Sequence, residues 1–134
     1  MKNNYLNYVI TLLVSLLFFP LVFIGQLGGG ILGELFVWFN SIFSMFEIPR
    51  FIARITASLI AGFAAGYFSA FVIKKIYKNL NLNVALILPG LLIAVAMVGD
   101  FSYAIKNGFD LNYLGHVIRN PASIFYYYYF LKDL

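Results

Sequence analysis

The sequence predicts an all-α integral membrane protein, a small polytopic helical bundle of about four membrane helices followed by a C-terminal interfacial segment. Composition is the first reason, because 63% of the 134 residues are hydrophobic and only 10% are charged. A soluble domain carries about 25% charged residues, so this chain lacks the polar surface that a water-soluble protein needs. Apolar runs of membrane-spanning length are the second reason, and a mean hydropathy of +0.90 agrees with both.

Charge and residue types exclude several classes of function. The nine Lys and Arg residues outnumber the five Asp and Glu residues, but they flank apolar runs, which is typical of membrane orientation rather than of nucleic-acid binding. With no cysteine, one histidine and no cluster of carboxylates, we expect neither a disulfide nor a protein-bound metal. The sequence has no nucleophile–base pair and no phosphate-binding loop, so we predict a non-enzymatic protein without a cofactor.

Four segments have the length or the periodicity of a membrane helix. A helix needs about 20 apolar residues to cross a hydrocarbon layer, and the predicted spans are residues 6–24, 31–46, 51–73 and 82–98 of a single domain. We expect the first run to be a retained span rather than a cleaved signal peptide, because it is long and lacks a clean small-residue cleavage site. Three consecutive glycines, Gly28 to Gly30, predict a turn between the first two spans.

Residues 31–46 differ from the other spans because a narrow polar stripe follows an otherwise apolar helix. The stripe consists mainly of small or polar residues spaced three and four apart: Gly30, Gly33, Glu34, Val37, Asn40, Ser41, Ser44 and Glu47. It contains no basic residue and is too narrow for a helix that lies on the membrane surface. It therefore predicts a span that faces the interior of a bundle or pore. A re-entrant helix is the alternative.

Glu34 is the strongest single candidate for function, because a carboxylate inside a membrane is costly and by default faces a cavity or a partner. The candidates for pore lining or ion coupling are Glu34, Asn40, Ser41 and Ser44. A wet position at headgroup depth is the structural alternative for Glu34. Arg54 is its candidate charge partner. In an antiparallel four-span bundle the two would lie near opposite faces, so a direct pair would favour the re-entrant helix.

Small residues recur every fourth position in the span over residues 51–73. The row consists of Ser58, Gly62, Gly66 and Ala70, and it includes a GxxxG motif. Small residues let membrane helices approach closely, which strengthens van der Waals packing. The row predicts a helix-packing face, either between copies of the chain or between two helices of one chain.

The C-terminal segment, residues 101–134, carries scattered charges and ends in a run of tyrosines at positions 126–129. Tyrosine concentrates at the membrane–water interface, so we expect an interfacial or docking segment that contacts a protein partner. Asp100, which follows Gly99, is expected to be an interfacial charge where the preceding helix ends.

The distribution of basic residues favours a cytoplasmic location for both termini. In the four-span arrangement six basic residues lie inside, namely Lys2, Arg50, Arg54, Lys106, Arg119 and Lys132. This agrees with the excess of positive charge in cytoplasmic loops. It leaves the cluster of Lys74, Lys75 and Lys78 on the outer side.

These observations support three hypotheses about function. The first is a homo-oligomeric channel in which the stripe over residues 30–47 faces the interior. The second is a membrane-embedded accessory or anchor subunit, such as an immunity or defence-system component, which acts through a protein partner. The third is a proton-coupled small transporter that uses Glu34. For all three we expect a lipid environment, in the cytoplasmic membrane of a bacterium, and no nucleic-acid partner.

Overall fold

The computed structural model describes residues 2–43, 49–110 and 114–133, and almost all of these residues are helical. The helices are α1 (Lys2–Ser15), α2 (Phe18–Phe43), α3 (Arg50–Ile76), α4 (Leu82–Ala85), α5 (Ile87–Asn107) and α6 (Leu114–Asp133). The described residues contain no strand, so the all-α class is confirmed. Three stretches are long and apolar enough to cross a membrane, namely Asn4–Ile42, Arg50–Ile76 and Leu82–Asn107.

Helices α1 and α2 are almost continuous and are separated only by a tight turn at Leu16 and Leu17. Pro20 explains the break, because proline has no N–H to donate to the carbonyl four residues earlier. The carbonyl of Leu16 instead accepts from the N–H of Phe19 at 3.2 Å. The N–H of Leu17 likewise bonds three residues back, to Val14. This pattern is typical of a short 3₁₀ turn.

The turn predicted at Gly28 to Gly30 is wrong, because α2 continues through these glycines. A glycine costs a helix about 1 kcal/mol relative to alanine, but here it allows close contact with α3. A Cβ atom at Gly25 would lie 2.5 Å from the Cα of Ala65, and one at Gly29 would lie 2.8 Å from the Cα of Ala61. The segments predicted as two spans therefore belong to one helical stretch.

Helix α3 lies between α2 and α6 and uses a different row of small residues for each. The contacts with α2 run antiparallel. The contacts with α6 run parallel, since Gly115 lies beside Ser58 while Gly66 lies further along, beside Tyr127. At Gly62 an added Cβ would lie 2.6 Å from the Cβ of Ala122. The row that begins at Ser58 thus faces α6 of the same chain, and Ala70 at its far end is fully buried.

The C-terminal segment, which we predict to be interfacial, forms one long helix over most of its length. Its helix α6 extends along α3, and near its end the Nζ atom of Lys74 donates to the carbonyl of Leu131 at 2.8 Å. Helix α5 also continues past its predicted end at residue 98, as far as Asn107. Asp100 therefore lies within a helix rather than at its exit.

The two ends of the bundle are packed differently. At the end marked by Lys74, a cluster of buried side chains closes the interior, with the rings of Phe18 and Tyr127 4.8 Å apart. The hydroxyl of Tyr127 donates to the carbonyl of Ala85 at 3.2 Å, which joins α6 to α4. Helix α1 is held at this end too, because the hydroxyl of Tyr77 donates to Asn7 at 2.8 Å. The cavities described next lie between the opposite end, marked by Glu34, and the middle of the bundle.

Candidate functional site

Four polar side chains from three helices form a hydrogen-bonded network in the interior of the bundle, and the hydroxyl of Ser123 also donates to the backbone carbonyl of Arg119 at 2.9 Å. We call these five residues the polar centre. They are Gln26 of α2, Asp100 of α5, and Arg119, Asn120 and Ser123 of α6. The Gln26 amide donates to Asn120 at 3.2 Å and to Ser123 at 3.1 Å. The Asn120 amide in turn donates to the carboxylate of Asp100 at 2.9 Å. This network links α2, α5 and α6.

The polar centre lies near half the length of the bundle. The carbonyl of Arg119 approaches Gly62, which is close to the middle of α3. Arg54 lies two turns nearer the Glu34 end, so Arg119 is set back from it by about 12 Å at a rise of 1.5 Å per residue. Ser123 is fully buried and Asn120 is 8% exposed. Such buried polar groups are stable only when they are hydrogen-bonded, which the network provides.

Arg119 is the member of the polar centre that has an unsatisfied hydrogen-bond donor. Its Nε atom is buried and has no hydrogen-bond partner within the described part of the chain. An unpaired charged donor inside a protein is costly, because it has lost its water without gaining an acceptor. Within the described residues the Nε donor of Arg119 is therefore left unsatisfied.

Three neighbouring cavities share Arg119 as a lining residue. The first, which we call the inner cavity, has a volume of about 80 Å³ and lies between α2, α3 and α6. It is lined by Gly30, Glu34, Arg54, Ala57, Ser58, Ala61, Gly115 and Arg119. The second, the outer groove, is an open depression of about 770 Å³. It is lined by Gln26, Leu27, Gly30, Ile31, Glu34, Leu35, Trp38 and Arg119.

The third cavity, which we call the lower cavity, has a volume of about 210 Å³ and lies between α2, α5 and α6. Its lining is mostly apolar and consists of Val22, Phe23, Gln26, Leu92, Ile93, Ala96, Arg119 and Asn120. Arg119 therefore lines all three cavities, which adjoin one another beside the polar centre.

Glu34 and Arg54 form an ion pair at the mouth of the inner cavity, with 3.0 Å between Oε1 and Nη1. The two come together because α2 is one helix that packs antiparallel to α3, and Glu34 follows directly after Gly33, which contacts Ala57. The side chain of Glu34 is 66% exposed and that of Arg54 is 31% exposed. The inner cavity thus has two guanidinium groups, those of Arg54 and Arg119, and one carboxylate.

The other residues predicted for the stripe do not join the polar centre. Gly33 packs against α3 and Val37 is buried, whereas Ser41 is exposed and Asn40 is half-buried. Ser44, the remaining pore candidate, lies outside the described residues. The stripe is therefore divided between a packing face and an open face on which Glu34 lies.

Sequence reasoning missed Gln26, Arg119 and Asn120 as site residues. Arg119, Asn120, Ser123 and Tyr127 recur at spacings of three and four on α6, which is the pattern of one helix face. That periodicity indicates a polar face on a helix, and it is the sequence signal that could have identified these residues. Asp100 was noticed, but as a charge at a helix end.

The chain matches no protein-family model, no curated protein and no solved structure. The fold and the site define a class of protein: a small all-helical protein with three helices long and apolar enough to cross a membrane, built around a polar centre. Within the described ranges, no group of three or more His, Asp or Glu side chains is placed to hold a metal ion.

Proposed function

We propose that the chain is a non-enzymatic integral membrane protein that binds a small anionic group at Arg119, as the first step of transport. The observation that carries this proposal is Arg119, which lines all three cavities and whose buried Nε has no hydrogen-bond partner among the described residues. Ionisable residues within membrane helices are costly and mark binding sites or pathways. The planar fork of arginine matches carboxylate and phosphate groups.

The balance of charge in the inner cavity supports an anion rather than a cation. Arg54 and Arg119 both line it, and Glu34 is the single carboxylate in the lining. Glu34 is paired with Arg54, so no other carboxylate of this lining accompanies Arg119, and the carboxylate of Asp100 in the polar centre accepts from Asn120. In a bundle surrounded by lipid, where the effective dielectric constant is low, the charge of Arg119 acts more strongly than it would in water.

The packing of the bundle suggests the route by which the anion arrives. Phe18, Ile73 and Tyr127 are fully buried and close the interior at the Lys74 end. The inner cavity opens beside Glu34 and Arg54, both of which are partly exposed. We therefore expect the anion to enter from the Glu34 end and to stop at the polar centre.

The same proposal gives the chain an orientation in the membrane. At 1.5 Å per residue α6 is about 30 Å long, which matches the hydrocarbon thickness, so α2, α3, α5 and α6 make four passes. The basic residues at the Lys74 end are then Lys2, Lys74, Lys75, Lys78 and Lys132, and those at the other end are Arg50, Arg54 and Lys106. The larger number of basic residues at the Lys74 end predicts that this end and both termini face the cytoplasm of a bacterial cell.

Substitution of Arg119 tests the proposal directly. We expect inorganic phosphate, acetate or chloride to raise the Tm of the wild-type protein in phosphatidylcholine nanodiscs, relative to the same ionic strength of a bulky sulfonate. Arg119→Gln should abolish the rise because the charged fork is gone, and Arg119→Lys should retain part of it. Arg50→Gln, at an exposed position at the start of α3, should respond like the wild type.

Two outcomes would contradict anion binding at Arg119. One is a wild-type Tm that does not change with any of the three anions. The other is an Arg119→Gln protein whose Tm rises as much as that of the wild type.

A homo-oligomeric channel is the second candidate, and the exposure of Glu34 favours it. The open face of the stripe includes Glu34 and Ser41, and no atom lies within 4 Å of a Cβ placed on Gly30. In a symmetric assembly Glu34 could form a charged ring, and acidic rings favour cations. Glu34→Gln should then weaken cation selectivity in planar bilayers without changing the oligomer size. An electrically silent wild-type protein would count against the channel.

The remaining alternatives use other parts of the molecule. An accessory subunit would offer its partner the exposed rings of Phe125, Tyr128 and Tyr129 on α6. A proton-coupled transporter that uses Glu34 would need this carboxylate to be buried, but it is largely exposed and paired with Arg54. Asp100, partly buried and bonded to Asn120, is the better placed acid for such a role.

A further inference from the structure

The outer groove combines a cation with a long apolar wall. Leu27, Ile31 and Leu35 follow one another at four-residue spacing on α2. The first two are 70% and 66% exposed, and Trp38 continues the wall at 50%. Arg119 and Gln26 lie on the inner side of the same groove. One side of the groove therefore suits hydrocarbon and the other suits an anionic, hydrogen-bonding headgroup.

The volume and the openness of the groove suit a chain-bearing ligand better than a small ion. The inner cavity holds little more than a small anion at about 80 Å³, whereas the groove has about 770 Å³, within the usual range for organic ligands. The groove is open along the outer side of α2, where the exposed leucines would meet lipid. An occupant can thus enter sideways from the bilayer.

We propose that the anionic group bound at Arg119 is the phosphate of a membrane lipid whose headgroup has a net negative charge, and that the lipid enters through the outer groove with its hydrocarbon chain along Leu27, Ile31 and Leu35. This inference rests on the proposed function and names its ligand class. The positive charge of Arg119 complements a phosphate group, which supports phosphate as the headgroup. The apolar wall can contact a hydrocarbon chain, which supports a lipid rather than a free ion. Glu34 does not oppose the headgroup, because its charge is compensated by Arg54.

Trp38 is the one tryptophan of the chain, and it lines the groove, so its fluorescence reports on the occupant. The experiment compares quenching of Trp38 by phosphatidic acid and by phosphatidylcholine, both with the same brominated chains, at increasing mole fractions in nanodiscs. We expect half-maximal quenching at an about tenfold lower mole fraction of the anionic lipid, the ratio that one charge-assisted hydrogen-bonded pair supplies.

Two substitutions should remove this preference by independent means. Arg119→Gln removes the charge. Gly30→Leu fills the passage shared by the groove and the inner cavity, and it should fold because the space at its Cβ is empty. The matched controls are Gly28→Leu, where the space is equally empty but outside the groove lining, and Arg50→Gln. Both controls should keep the tenfold ratio.

The possible outcomes separate this inference from the proposed function. Equal quenching of the wild type by the two lipids, with a Tm that still rises with inorganic phosphate and depends on Arg119, would reject the lipid and keep anion binding. Absence of both effects would reject both proposals. Loss of the preference in Arg50→Gln would indicate a general attraction to surface charge and would overturn the assignment to Arg119.

Discussion

Asn120 joins three helices through a single amide group. Its oxygen accepts from Gln26 of α2 while its nitrogen donates to Asp100 of α5. An amide can do this because it carries both an acceptor and donors in one plane. The residue thereby satisfies two polar side chains that would be costly to leave unpaired in an apolar bundle.

Replacing Asn120 by alanine should destabilise the protein. We expect Asn120→Ala to lower the free energy of unfolding by about 1–3 kcal/mol, because Gln26 and Asp100 each lose a partner. Asn107→Ala is the control, since that amide is exposed and, among the described residues, donates to the carbonyl of Tyr103 four positions earlier, and it should cost less than about 0.5 kcal/mol. Unfolding by SDS in mixed micelles measures both. Equal losses would show that the network does not contribute to stability.

At the scale of a helix, α2 shows that packing can override local propensity. Its glycines favour a turn in isolation, but Gly25, Gly29 and Gly33 lie four apart on one face and meet the backbone of α3. Close contact of two helices stabilises both in an environment where apolar side chains gain little by leaving lipid. The helix is therefore continuous where the local sequence predicts a break.

A pair of neighbouring glycines tests this explanation. Gly29→Leu should strongly destabilise or unfold the protein, because its Cβ would lie 2.8 Å from the Cα of Ala61 and overpacking costs about 1–3 kcal/mol or more. Gly28→Leu, with nothing within 4 Å, should be neutral or raise stability by up to about 1 kcal/mol through helix propensity. Thermal unfolding in detergent compares them. Similar Tm values for both variants would contradict the α2–α3 contact.

How far the sequence predicts this structure depends on the kind of information each helix carries. The apolar helices can be recognised because length and hydropathy alone qualify a segment to cross a membrane. The path of α2 cannot be recognised from the sequence in this way, because only its contact with α3 distinguishes a row of glycines that packs from a row of glycines that turns. The sequence does not assign Arg119 and Asp100 to one site. Polar residues interrupt the apolar pattern of α6, and their partners lie on other helices, which sequence spacing does not reveal.

At the scale of the whole molecule, the proposed topology takes its fourth pass from α6 rather than from residues 31–46. The sequence-based arrangement needed the cluster of Lys74, Lys75 and Lys78 on the outer side. With α2 as one pass and α6 as the last, these lysines join Lys132 at one end. The proposed topology therefore agrees better with the rule that cytoplasmic loops are rich in Lys and Arg.

Labelling of single cysteines tests this topology on a chain that contains no cysteine of its own. We expect Lys106→Cys to react with a membrane-impermeant maleimide in intact cells. Lys78→Cys and Lys132→Cys should react only after the membrane is opened, because both lie at the cytoplasmic end. Reaction of Lys78→Cys and Lys132→Cys from opposite sides would mean that α6 does not cross the membrane.

The parallel packing of α6 on α3 has a consequence for the order in which the protein is made. Synthesis proceeds from the N-terminus, so α2 and α3 can pair as an antiparallel hairpin while the face of α3 at Gly62 and Gly66 is still uncovered. Helix α6 carries Arg119, whose entry into lipid alone costs about 3 kcal/mol. We therefore expect α6 to enter the membrane by docking on the finished hairpin, so that the candidate binding site forms only in the last step of biogenesis.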